Sequence, residues 1–215
     1  MQRATLLSLL LGFSPVLAWA PSVDEELARL VVDGVYSRIP PVPTGVELDP
    51  LTVRILRGGE ACLPFPQSQP LSAWISGQAE VVALLAEGAR NDFRRAKPQE
   101  VLEKAKGFLP DGHLRVFLKI RGLEDLYLRG AYTLGVRLTL PSGEARYVRA
   151  YRTTHLDDWR KEDGRYTGTL VFYLDLSSAL KEGLLKEEGP LEVIFLTESS
   201  EDCLYAFTVN LGAFK

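Results

Sequence analysis

Two hydrophobic periods follow one another along the chain. Between Gly77 and Leu109 apolar residues recur at helical spacing. Val82, Leu85, Ala86, Ala89 and Phe93 form one stripe, and Val101, Leu102, Ala105, Phe108 and Leu109 form a second. Pro98 stands at the first position of the second helix, where a missing N–H costs no hydrogen bond. From His113 onward the period falls to two. Leu114, Val116, Leu118 and Ile120 alternate with Arg115, Phe117, Lys119 and Arg121. Tyr132, Leu134, Val136, Leu138 and Leu140 alternate with Thr133, Gly135, Arg137 and Thr139. Pro141-Ser142-Gly143-Glu144 predicts a tight turn, and Ala145 to Arg152 the returning arm of a hairpin. The cleanest alternation is Arg165 to Ser177, which reads as a half-buried strand. A short helix, Ser178 to Glu188, and a last hairpin, Leu191 to Glu198 with Leu204 to Leu211, complete this half.

The N-terminal part is less regular. Ser22-Val23-Asp24-Glu25 has the form of a capping box, and Leu27, Leu30, Val31 and Val35 predict a helix over 23–37. Prolines 40, 41 and 43 end it, and Ile39 to Pro50 reads as extended irregular chain. Leu51 to Arg57 predicts a short strand closed by Gly58-Gly59, and Gly58 to Pro70 an irregular loop. The fold class that follows is α+β and mainly β. An antiparallel sandwich or open barrel fills the C-terminal half, covered by two or three helices whose single apolar stripes need a sheet to pack on. Residues 21–110 form a mixed helical and extended portion and 111–215 a sandwich-like one, as separate units or as one domain.

Residues 1–20 read as an export signal. Arg3 supplies the positive end, Leu6 to Phe13 the apolar run, and Ala18-Trp19-Ala20 the small-residue cleavage site. Pro21 fits poorly after a scissile bond, so cleavage after Ala18 is the alternative to cleavage after Ala20. Ala4 to Ala20 is short for a spanning helix and is interrupted by Gly12, Ser14 and Pro15, so no stable membrane anchor is expected once the signal is removed. The expected location is periplasmic or extracellular.

Composition narrows the function. With 46% apolar and 25% charged residues the chain can bury a core. A net charge of -3 with no basic block argues against a nucleic-acid partner. Arginine in excess of lysine, and asparagine only at Asn91 and Asn210, suit a heat-adapted or GC-rich source. Two cysteines in an exported chain predict a Cys62–Cys203 disulfide, worth at most about 5 kcal/mol by chain entropy.

Catalytic signatures are missing. There is no Gly-x-Ser-x-Gly elbow and no His-Glu-x-x-His, and Ser178-Ala179-Leu180-Lys181 matches a Ser-x-x-Lys string inside a predicted helix. His113 and His155 each stand beside acids, but their spacing does not build a metal site, and no cofactor is implied. The polar loop Thr153 to Gly164 is the best candidate for ligand contact. It combines His155, Asp157, Asp158 and Trp159, and Trp159 with Tyr166 offers a stacking platform for a sugar. These features predict an exported cell-envelope module that binds an envelope protein or a glycan without catalysis. The alternatives are a secreted hydrolase acting on glycans at this loop and an assembly factor that pairs an exposed strand edge with a partner.

Overall fold

The computed structural model describes residues 20–37, 44–62, 65–199 and 202–213. The predicted export signal, residues 1–20, lies outside the described residues apart from Ala20. Two antiparallel sheets stack face to face, and three helices cover the outer face of one of them. The strands are β1 (Gly45–Leu48), β2 (Arg54–Arg57), β3 (Gln69–Ser76), β4 (His113–Leu123), β5 (Thr133–Thr139), β6 (Ala145–Arg149), β7 (Arg152–His155), β8 (Arg160–Glu162), β9 (Arg165–Asp175), β10 (Pro190–Leu196) and β11 (Leu204–Asn210). The helices are α1 (Glu25–Tyr36), α2 (Gln78–Asn91), α3 (Pro98–Phe108) and the short α4 (Ser177–Lys181). The first sheet runs β1-β3-β4-β9-β7, with β8 also pairing β9, and the second runs β2-β11-β10-β5-β6. This is the α+β, mainly β sandwich that the two periods predict.

The chain passes between the sheets at both lateral edges, from β1 to β2 through Asp49-Pro50 and from β6 to β7 through Ala150-Tyr151. The predicted hairpin arm 145–152 is therefore two strands. Ala150 N donates to Leu134 O in the second sheet, and Tyr151 N donates to Tyr173 O in the first. Between the sheets lie the alternate residues of β4 and β9, including Leu114, Val116, Leu118, Leu170, Phe172 and Leu174, against Leu134, Val136, Phe195, Tyr205 and Phe207. The Cys62–Cys203 disulfide joins the turn after β2 to the start of β11, across 141 residues, and Tyr205 Oη donates to Cys62 O at 2.9 Å.

A second apolar cluster unites the helices with the first sheet. Ala28, Val31, Val32 and Val35 of α1, Val81, Val82 and Ala86 of α2, and Val101, Leu102 and Ala105 of α3 pack with Val171 and Tyr173 of β9 and with Phe117 of β4. The strand predicted to be half-buried is thus buried on both faces from Thr167 to Leu174, because helices cover Val171 and Tyr173 on its second face and the chain around Asp158 and Glu162 bonds to Thr169 and Thr167. Gln78, the first residue of α2, fastens the layer. Its Oε1 accepts from Val23 N at 2.9 Å, and its Nε2 donates to Leu109 O at 2.9 Å.

Several predicted boundaries shift for local reasons. Asp24, not Ser22, caps α1, its Oδ1 accepting from Leu27 N at 2.8 Å. The 39–50 segment contains β1 among its described residues, and β2 starts three residues later than predicted. The 58–70 segment holds a 3₁₀ turn at Gly59–Cys62 and leads into β3, a strand absent from the predicted set. The helix after β9 ends at Lys181 rather than Glu188. Phe93, placed in an apolar stripe by spacing, lies beyond the end of α2 with φ of 58° and is fully exposed.

Candidate functional site

The helices leave part of the first sheet's outer face open, and a cleft of about 400 Å³ lies there. Its floor comes from neighbouring strands. Ser72 of β3, Lys119 of β4 and Thr169 of β9 form one cross-strand row, and Glu47, Trp74 and Phe117 of β1, β3 and β4 form the next. Glu80 on the first turn of α2 closes one side and Leu156, just after β7, the other.

A built hydrogen-bond network holds the aromatic wall. Trp74 Nε1 donates to Glu80 Oε1 at 3.0 Å, and Arg115 donates to Glu80 Oε2 at 2.8 Å. Arg115 and Glu80 are only 6% and 18% exposed, so each charge depends on the other in a site that water scarcely reaches. The Arg115 guanidinium also lies 5.1 Å from the centre of the Phe117 ring. Gly45 makes the arrangement possible, since a Cβ there would fall inside the Trp74 ring. With Glu80 committed to Trp74 and Arg115, and the Thr169 hydroxyl to Asp158, the polar groups left to a ligand are Lys119, Glu47 and the Ser72 hydroxyl. Neither Lys119 nor Glu47 forms an ion pair among the described residues. A cleft with aromatic walls and a few polar groups suits a small amphipathic ligand.

The predicted loop forms one boundary of this cleft, through residues other than those singled out. Asp158 is a staple: Thr169 N donates to its Oδ1 at 3.0 Å and Thr169 Oγ1 to its Oδ2 at 2.6 Å, which fixes the chain between β7 and β8 against β9. Trp159 lies on Gly168, where a Cβ would enter its ring, and the Arg129 guanidinium carbon lies 5.4 Å from the centre of the ring. Its Nε1 is buried with no hydrogen-bond partner among the described residues. Tyr166 is half-buried against the inter-sheet core and carries the Lys161 ammonium 5.4 Å from its ring centre. Trp159 and Tyr166 thus have separate ring partners. Asp157 is exposed, and His155 faces a different cleft, on the opposite side of β7.

Sequence reasoning missed Trp74, Ser72 and Glu47 because β1 and β3 were not recognised. The signal in β3 was the run Leu71 to Ile75. Pro70 and the register shift between Pro70 and Ser72 break its alternation.

His113 belongs to a third cluster, at the end of β4. Its Nδ1 lies 3.1 Å from Tyr151 Oη and its Nε2 3.5 Å from Asp175 Oδ1. Asp175 is held below the usual carboxylate range, chiefly by the Ser177 hydroxyl and also by Ser177 N–H and His113, and Tyr151 is raised by burial and by the Asp175 charge. The cluster ties the crossing at Tyr151 to the central strand pair. Among the described residues no group of three His, Cys, Asp or Glu side chains is placed to hold a metal, and no helix is long and apolar enough to cross a membrane. Comparison with family models, with curated proteins and with solved structures finds no match.

Proposed function

We propose that this protein is an exported, non-catalytic binding module of the cell envelope, and that its ligand is a small glycan fragment seated in the cleft between α2 and the chain after β7. One observation carries the reading. Trp74 and Phe117 line a concave site of about 400 Å³ beside Lys119 and the Ser72 hydroxyl, and a buried ion pair holds the indole in place. Sugars present apolar ring faces and peripheral hydroxyls, which an aromatic wall with a few polar groups accepts. Export is supported by the leader-like residues 1–20 and by the Cys62–Cys203 disulfide, a bond that persists in oxidising compartments.

The test is a fluorescence titration with defined envelope glycan fragments, comparing the native chain with Trp74→Ala and Lys119→Ala. The native protein gives saturable binding, and Trp74→Ala weakens it by about tenfold or more, the loss of one stacked aromatic. Binding that survives Trp74→Ala unchanged overturns this placement of the site.

A second reading, a glycan hydrolase, is favoured by one observation: Glu47 and Glu80 line the same cleft. Turnover of a glycan abolished by Glu47→Gln would favour it over simple binding.

A further inference from the structure

We infer that the protein carries a second, separate site, for an oxyanion group, on the opposite side of β7. It does not depend on the glycan cleft. A cleft of about 300 Å³ lies between β7 and the 3₁₀ segment Leu126–Ala131, and its polar side chains are Tyr127, Arg129, Thr153, Thr154 and His155. Every one of these is a donor or a cation, and no carboxylate lines it. In a chain with 28 acidic residues against 25 basic ones, a concave site free of acids selects for negative charge.

The cation at its centre is built into position. Arg129 Nε donates to Leu126 O at 2.7 Å, and its guanidinium carbon lies 5.4 Å from the Trp159 ring. Trp159 in turn rests on Gly168, a position at which any side chain would displace the ring. This three-layer stack of strand backbone, indole and guanidinium holds a half-buried charge that forms no ion pair among the described residues. The acids nearest in sequence are otherwise placed: Asp125 accepts from Tyr127 N at 3.1 Å, and neither Asp125 nor Asp157 lines the cleft. A planar guanidinium fixed through Nε keeps its terminal nitrogens as a pair of donors for a carboxylate, sulfate or phosphate ester. His155 stands on the same wall. Its Nδ1–H donates to Leu156 O at 3.2 Å, so its Nε2 donates to an anion only in the imidazolium form, and Arg129 is the fixed cation of the site. Thr153 and His155 sit at the register positions opposite Phe172 and Leu170, on the side of β7 that faces the mouth of the sandwich. The role of Trp159 is then to position Arg129, and the stack accounts for a glycine at position 168.

The probes are sodium sulfate, glucuronate and, as a neutral control, glucose, titrated into the full chain and followed by the amide resonances of Thr153 to His155 and the Arg129 Nε–H resonance. Saturable shifts with sulfate, glucuronate or both, and none with glucose, are expected; a response to glucuronate alone identifies a carboxylate reader, and a response to sulfate alone a tetrahedral-anion reader. Arg129→Gln weakens the binding by about tenfold or more, the loss of a charge-assisted bidentate contact. Arg129→Lys keeps the charge but not the fork and gives an intermediate loss, which keeps the test valid if the glutamine variant folds poorly. The proposal is overturned if neither anion produces saturable shifts, if glucose produces the same shifts, or if a folded Arg129 variant binds as the native chain does.

Discussion

The two sheets of this sandwich have the same alternating pattern and opposite surroundings. On the first sheet the outward residues of the central strand β9 are Thr167, Thr169, Val171 and Tyr173, all buried, with Val171 and Tyr173 packed beneath α1, α2 and α3. On the second sheet the outward residues of the interior strand β10 are Glu192, Ile194 and Leu196, all partly exposed, and no helix among the described residues covers them. That face holds a groove of about 180 Å³ with an almost wholly apolar lining that includes Ile194, Leu196, Leu204 and Tyr147. On its polar part Glu192 pairs with both Arg54 and Arg137. The contrast teaches that alternation reports the inner face of a strand and leaves the fate of the other face to what packs on it. It also separates two kinds of concavity. The covered sheet has a cleft of about 400 Å³ whose aromatic wall is held by part-buried polar bonds, and the other sheet has a smaller apolar groove of about 180 Å³ whose side-chain bond from Arg149 to Thr133 is exposed.

The largest expected break in this comparison is a matched pair of substitutions. Val171→Asp places a carboxylate under the helix layer and destabilises the protein by about 4 kcal/mol or more, whereas Ile194→Asp costs about 1 kcal/mol or less. Urea unfolding of both variants checks this, and equal costs would mean that the helices do not cover β9. Next comes the covalent tie of the bare sheet. Replacing Cys62 and Cys203 together by serine lowers stability by about 3 to 4 kcal/mol, measured by thermal unfolding under non-reducing conditions. The buried pair beside the cleft of the first sheet follows. Arg115→Met strands Glu80 and costs about 2 to 3 kcal/mol, with a change in Trp74 fluorescence as its indole loses a fixed partner. The smallest effect is at the loop. Asp158→Ala removes two hydrogen bonds to Thr169 and costs about 1 to 2 kcal/mol, and hydrogen exchange rises at the Thr169 amide while the amides of β10 stay protected.

The sequence shows most of this architecture, because both periods are long and cleanly phased. The helix pair around Pro98, the strands β4, β5, β9, β10 and β11, and the disulfide all follow from spacing and composition. The candidate site is legible only in part. The loop after β7 does border the cleft, yet Asp158 and Trp159 turn inward to Thr169 and Gly168, and no local pattern announces that pairing. Trp74 and Glu80 meet because α2 starts directly after β3, a juxtaposition hidden while Pro70 and a bulge concealed the strand. Gln78 gives the same lesson: a single glutamine at the start of a helix reads as surface, and its partners Val23 and Leu109 lie 55 and 31 residues away.

The central claim, that function resides on the helix-covered face, is tested most directly by mapping amide and indole resonance shifts as envelope glycan fragments are added. The account predicts shifts at Trp74 Nε1–H, Lys119 and Thr169, with Ile194, Leu196 and Leu204 unmoved. Shifts confined to Ile194, Leu196 and Leu204 would place the site on the bare sheet and contradict it.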